Sequence, residues 1–159
     1  MSKIIIIKGS SRKDGNTQKV VEVFRTAFPA TFIDLQNYNI SYYDYEHKNQ
    51  WDDFLSIAEQ MVQYEIIIFA TPIYWYSMSG IMKTFFDRLS DLLTIRKDLG
   101  RALAGRSMYV IACSSDAGAY KGFFLPFQRT AKYLEMHWRG GFHTWIEEGQ
   151  VKGNFRRIS

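Results

Sequence analysis

The sequence predicts an α/β fold: a doubly wound, five-stranded parallel sheet with helices on both faces. Three observations point to it. Short unbroken apolar runs, the pattern of strands buried on both faces, recur as "IIII" (4–7), "EIIIFA" (65–70) and "SMYVIAC" (107–113). Segments with apolar residues at helical spacing alternate with these runs, which implies parallel strands joined by right-handed helical crossovers. With 159 residues, the chain suits one domain spanning 1–159 and is too short for the six-stranded form of this architecture.

Taken in order, Ile4–Ile7 is the first strand. Val20, Val21, Phe24, Ala27 and Phe28 then fall at i, i+1, i+4, i+7 and i+8, one face of a first helix. "ATFIDL" (30–35) is the second strand. The polar and aromatic segment 36–50, "QNYNISYYDYEHKNQ", is longer than structural connections usually run, and such loops often carry function. Trp51, Phe54, Leu55, Ala58, Met61 and Val62 mark a second helix, and 65–70 is the third strand, which Thr71-Pro72 is expected to stop. Met82, Phe85, Phe86, Leu89, Leu92 and Leu93 predict a third helix, and 107–113 is the fourth strand. A fourth helix is expected from Phe124 to Tyr133, where Pro126 is tolerated in the first turn, and "MHWRGGFHTW" (136–145) is the fifth strand. From Glu147 the tail is polar and basic and is expected to be mobile, its Arg156 and Arg157 solvated.

Bulk properties narrow the function. The composition, 47% hydrophobic and 23% charged, is that of an ordinary globular protein. A net charge of +4 suits an anionic ligand but is too weak to indicate nucleic acid. Cys113 is the only cysteine, so an internal disulfide or a thiolate metal cluster within one chain is excluded. No apolar run approaches the ~20 residues of a membrane span, and "IIII" is followed at once by Lys8, unlike a signal peptide. A cytoplasmic protein is the expectation. His47, His137 and His143 are scattered and read as surface or packing residues, and Cys113 as a small core residue.

In a sheet ordered 2-1-3-4-5, ligands bind beyond the carboxyl ends of the strands where the order reverses. The loops that matter are therefore 9–17, 71–79 and 114–122. The first, "GSSRKDGNT", matches neither GxxxxGK[ST] nor GxGxxG. It is a donor-rich turn ahead of a helix N-terminus, where free N–H groups and the helix dipole favour an anion. Ser10, Ser11, Thr17, Asn16 and Arg12 would suit a phosphate monoester. The same residues also allow a plain helix start, with Asn16 or Thr17 as cap and Arg12 and Lys13 solvated. The second loop, "TPIYWYSMSG", has three consecutive aromatics that cannot all point into a core, so some face solvent, a partner subunit or a flat ligand. In the third, Ser114, Ser115, Asp116 and Gly118 let backbone approach a ligand closely. A phosphate cradle beside an aromatic wall fits FMN.

"GSSRKDGNT" resembles the flavin-phosphate loop "GSxRxxGNT" of the NADPH-dependent FMN reductase family of flavodoxin-like proteins. "ATPIYWYSMSGIMKTFFDR" resembles that family's "PxYWxxMSxxxKxFxDR". The likeness runs from about residue 3 to 145. It implies that Ser10, Ser11, Arg12, Asn16 and Thr17 hold the FMN phosphate. Pro72, Ile73, Tyr74, Trp75, Tyr76, Ser77 and Met78 would line the ring and ribityl chain, and Ser114, Ser115, Asp116 and Gly118 would close the far side. Some relatives carry a cysteine cluster for an iron–sulfur centre after the second strand; "ISYYDYEHKNQ" has none. The resemblance further implies NAD(P)H as electron donor, a quinone, free flavin or similar small molecule as acceptor, and a homodimer or higher homo-oligomer. Segment 36–50 would then either build or cover the site near a subunit interface, or fold back on its own domain. The competing reading is a flavodoxin-like electron carrier without direct NAD(P)H oxidation, but such carriers are typically strongly acidic and this chain has a pI near 9.1.

Overall fold

The structure, a computed structural model, describes residues 2–118 and 120–153. Five parallel strands run in the expected order: β1 (Ile4–Lys8), β2 (Thr31–Asp34), β3 (Ile66–Tyr74), β5 (Ser107–Ser114) and β6 (His137–Glu147), arranged β2-β1-β3-β5-β6. Two antiparallel strands absent from the sequence reading complete the sheet. β4 (Ser77–Met78) folds back on β3, and β7 (Gln150–Gly153) pairs with β6, so residues read as a loose tail form an edge hairpin through Gly153. Arg156 and Arg157 lie outside the described residues.

The helices are α1 (Asn16–Ala27), α2 (Phe54–Met61), α3 (Gly80–Arg88), α4 (Asp91–Thr94), α5 (Lys97–Ala102) and α6 (Leu125–Tyr133). On one face Phe54, Met82, Phe85 and Phe127 from α2, α3 and α6 pack on Ile5, Ile7, Ile67, Phe69 and Val110. On the other, α1 alone sets Val20, Val21 and Phe24 against Ile6, Ile68, Tyr109, Ile111 and Phe142, with Ile146 and Val151 at its margin. Three expectations are corrected. Trp51 is 89% exposed and precedes α2 rather than sharing its buried face. The third helix breaks after Arg88, so the run to Leu93 is two short helices, and Leu93 is exposed. Strand β3 continues through Pro72 to Tyr74.

Segment 38–53 has no regular structure but folds on its own chain around one buried cation. Arg88 is 1% exposed. It donates from Nε to Asp91 (2.9 Å), from Nη1 to Asp52 (2.6 Å) and the Ser41 carbonyl (3.0 Å), and from Nη2 to the Asn49 carbonyl (3.1 Å). His47 Nδ1 lies 3.0 Å from the other Asp91 oxygen. The guanidinium also covers the Phe54 ring at 4.9 Å. An irregular segment thus gets its fixed path from an arginine on the neighbouring helix. Burial pushes the Asp52 carboxyl up, but hydrogen bonds from Arg88 and from the Ser41 and Phe54 amides outweigh it and hold the group below its ordinary 3.8.

Removing one partner of a buried ion pair strands the other charge. Arg88→Met is therefore expected to lower unfolding free energy by about 3–5 kcal/mol in urea denaturation. The depressed Asp52 carboxyl gives the acid side its sign: its stabilisation is complete above 3.8 and is lost only as pH falls from there through its lower folded value. An acid titration of wild type against Arg88→Met checks this, because the variant lacks the Arg88 share of that contribution at every pH and keeps only that of the Ser41 and Phe54 amides.

Candidate functional site

The carboxyl ends of β1, β3 and β5 bring the three predicted loops together. Gly9 leaves β1 with its N–H on the Ala70 carbonyl (2.9 Å). A Cβ there would sit 3.1 Å from Met82, so glycine lets the chain pass the start of α3. The loop then turns into α1, whose N-cap is Gly15 and carries no side-chain cap. Neither Asn16 nor Thr17 caps the helix, contrary to the plain-turn alternative; both belong to its first turn. The uncapped end presents first-turn N–H groups outward, the arrangement that favours an anion. Gly15 also makes room for Arg12, whose Cβ would lie 3.0 Å from a Cβ at that position.

A cavity of about 360 Å³ opens at this helix end. From the first loop it is lined by Ser10, Arg12, Asn16 and Thr17, from β3 by Pro72, Ile73 and Tyr74, and from β5 by Ser114 and Ser115, all predicted from sequence, with Cys113 in addition. Ser10, Thr17 and Ser114 are buried, while Arg12, Asn16 and Ser115 are exposed. Burial pushes the Cys113 thiol above its ordinary 9.0, against hydrogen bonds with Thr144 and Thr17 that lower it, so it is a thiol rather than a thiolate at neutral pH.

Other predicted residues stand elsewhere. Ser11 lines a neighbouring cavity of about 650 Å³ on the opposite side of the loop, with Gln36, Tyr38 and Tyr42, because Gln36 Nε2 holds the Ser11 carbonyl at 2.9 Å on that side. Met78 is buried in the core beneath the site, since β4 pairs it with Ile73. Trp75 and Tyr76 form the two-residue tip between β3 and β4, 93% and 73% exposed. Their φ angles are +47° and +67°, values that such hairpins normally give to glycine or asparagine. Ser77 is exposed beside them. Asp116 and Gly118 form a tight turn at the mouth, the Gly118 N–H donating to Asp116 Oδ1 at 2.7 Å.

Sequence reasoning missed two groups. Ser79, fully buried, accepts from the Met82 N–H (3.1 Å) and donates to the Gly9 carbonyl (2.7 Å), while its own N–H reaches Thr71 Oγ1 (3.0 Å). The signal was present: a serine directly before a helix. His143, expected as a surface or packing residue, has its Nε2 2.6 Å from Ser114 Oγ. Ser114 Oγ is also 2.6 Å from the Asp116 carbonyl, which can only accept. The hydroxyl therefore donates to Asp116 and the imidazole Nε2–H to Ser114, which fixes the tautomer and braces the third loop. Burial holds His143 below 6.5 against the opposing charge of Asp116. No single-sequence signal could have placed it, because its neighbours depend on the β5–β6 register, Ala112 opposite His143.

The arrangement can bind an anionic group at the α1 end and a flat group toward the aromatic hairpin. The profile of the NADPH-dependent FMN reductase family matches residues 2–123, so the chain belongs to that family. It is 36% identical over 165 residues to a Bacillus subtilis protein named as an NAD(P)H-dependent FMN-containing oxidoreductase, covering 98% of this chain and 90% of the relative. Among solved structures, the Trp repressor binding protein from Bacillus subtilis superposes with a TM-score of 0.73 at 32% identity, covering 91% of this chain and 85% of that one. General stress protein 14 from Treponema denticola, solved in complex with FMN, shares the fold with a TM-score of 0.61 at 19% identity, over 92% and 87% of the two chains.

Positive φ at bulky residues costs on the order of 1–3 kcal/mol each. Replacing Trp75-Tyr76 with Asn-Gly is therefore expected to raise unfolding free energy by about 1–3 kcal/mol while leaving the strands on either side unchanged. Urea denaturation checks it; an unchanged or lower stability would show that the aromatic tip is not strained.

Proposed function

We propose that this member of the NADPH-dependent FMN reductase family is an FMN-dependent oxidoreductase that takes hydride from NAD(P)H and delivers it to a small acceptor such as a quinone or free flavin. The supporting observation is the uncapped N-terminus of α1, which opens with Arg12 into the same cavity as the ends of β3 and β5. The donor set suits FMN: a phosphate dianion accepts from helix N–H groups, hydroxyls and a guanidinium at once.

In this reading Ser10, Arg12, Asn16 and Thr17 hold the phosphate. Pro72, Ile73 and Tyr74 flank the ribityl chain and ring, with Trp75, Tyr76 and Ser77 supplying the hairpin wall and Met78 supporting it from below. Ser114, Ser115, Asp116 and Gly118 close the far side, steadied by His143 through Ser114. FMN, when bound, supplies the hydride-transfer chemistry, and the protein supplies its binding, orientation and electrostatics. The basic chain attracts anionic NAD(P)H, which favours this reading over an acidic electron carrier. The reading includes a cytoplasmic homo-oligomer, and the exposed Tyr42, Tyr45 and Trp51 provide apolar surface for self-association.

Anaerobic titration of the FMN-loaded protein with NADPH, then NADH, is expected to bleach the flavin absorbance by two electrons. Bound flavin that both donors leave oxidised would remove the oxidoreductase reading. Arg12→Ala is expected to weaken FMN binding about 10–100-fold, the worth of a charge-assisted hydrogen bond. Flavin-fluorescence quenching measures it, and an unchanged affinity would take Arg12 out of the phosphate site.

A further inference from the structure

The residue immediately before the first loop is a lysine without solvent contact. Lys8 is 0% exposed at the end of β1, a position that costs several kcal/mol unless the charge is paired. Its ammonium has three N–H donors, and three acceptors surround it: Asp34 Oδ2 on β2 at 2.7 Å, Gln18 Oε1 on α1 at 2.8 Å and the Lys13 carbonyl in the loop at 3.0 Å. Asp34 is fixed in turn. Its Oδ1 accepts from the Gln36 N–H at 3.1 Å, and the Gln36 side chain donates to the Ser11 carbonyl at 2.9 Å. The link is closed: Lys8 to Asp34 to Gln36, with both ends of the chain gripping loop carbonyls.

The consequence follows from the planar trans peptide, in which the C=O of one residue and the N–H of the next point in opposite directions. Holding the Ser11 carbonyl on Gln36 turns the Arg12 N–H the other way, where it donates to Ser10 Oγ at 3.3 Å and fixes that hydroxyl oxygen on the lining of the 360 Å³ cavity. Holding the Lys13 carbonyl on Lys8 turns the Asp14 N–H away from Lys8. The Ser11 and Lys13 carbonyl oxygens, which would repel an anion, are thus held on Gln36 and Lys8. The loop is set in this form by the protein's own contacts, so ordering it does not draw on ligand binding energy.

We infer that Lys8, seated on Asp34 and coupled through it to Gln36, is a positioning residue that pre-forms the phosphate cradle and thereby sets a preference for phosphate-bearing flavin over the same ring system without phosphate. The inference rests on the flavin reading above and extends it to residues that do not touch the ligand.

The test compares FMN with riboflavin, each titrated by fluorescence quenching against wild type, Lys8→Met, the double variant Lys8→Met/Asp34→Leu, and Gln36→Leu. The double variant guards against misfolding, since a buried ion pair replaced by apolar residues of similar size is often neutral for stability. Gln36 is exposed, so its replacement does not threaten the core. In the double variant, FMN affinity is expected to fall about tenfold while riboflavin affinity stays within about twofold; Gln36→Leu moves the same way by about threefold, as for the loss of one neutral hydrogen bond. A folded double variant with the wild-type preference for FMN overturns the inference, as does equal weakening toward both flavins, which is what a merely structural lysine would produce. Wild type binding both flavins alike overturns it while leaving the flavin reading standing. Wild type binding neither takes down that reading as well.

Discussion

The functional end of the molecule depends on the buried hydroxyl of Ser79. One oxygen accepts the Met82 N–H in the first turn of α3 and donates to the carbonyl of Gly9, just past β1, while the Ser79 N–H reaches back to Thr71 on β3. The ends of β1 and β3 and the start of α3 therefore meet at one residue without solvent contact, Gly9 lying 70 residues from Ser79 in sequence. Were that hydroxyl absent, a helix amide and a strand-end carbonyl would be buried without partners, and each such group costs about 1–3 kcal/mol. The glycine at position 9 belongs to the same constraint, because a side chain there would meet Met82 at 3.1 Å. The cavity exists where it does because the first loop cannot move relative to β3 and α3.

Around that knot, two buried cations order what the backbone ladders do not reach. Lys8 ties the first loop to β2, and Arg88 ties segment 38–53 to α3. Each is nearly solvent-free and each has acceptors on at least three separate stretches of chain. Buried ion pairs are weak contributors to stability compared with apolar packing of the same volume. Their value here is positional. A methionine in either place would fill space but would select no particular path for an irregular segment, whereas a guanidinium whose N–H groups meet fixed carbonyls and carboxylates admits one.

Much of this was legible in the residues. Ile4–Ile7, 65–70 and 107–113 are recognisable as central strands because strands covered on both faces need no polar alternation. The first loop was legible because its donors crowd ahead of a helix. The limits are equally physical. Thr71-Pro72 reads as a strand end, since proline cannot donate to a ladder, yet β3 continues. The Ala70 carbonyl faces Gly9, so the nitrogen two residues on faces the same side, toward the Gly9 carbonyl, which accepts from the Ser79 hydroxyl where a ladder N–H is missing. The proline's lost donor is replaced by a side chain, and only the register reveals it. His143 was hidden for the same reason, and β7 because "QVKG" is too short and polar to stand out from a tail. The distribution of roles within "GSSRKDGNT" was illegible too: Ser10 and Ser11 look alike in sequence, but adjacent residues lie on opposite sides of the loop and face different cavities.

The places where local rules fail also mark the site. Trp75 and Tyr76 take backbone angles that suit glycine, the first turn of α1 lacks a side-chain cap, and a lysine is buried at a strand end. Other parts of the chain follow ordinary preferences: Ser79 caps α3, Pro126 lies in the first turn of α6, and Phe54, Phe85 and Phe127 fill the core. A stability optimum would place Asn-Gly at the hairpin tip. All three departures gather beyond the carboxyl ends of β1 and β3, and each presents something a ligand can use: an aromatic face, unpaired N–H groups, and a loop whose carbonyls are drawn aside. Left-handed backbone also occurs at His47, Glu135 and Glu148, so strain by itself does not single out this end of the sheet; what does is the meeting of an uncapped helix end, a buried lysine and an aromatic hairpin there.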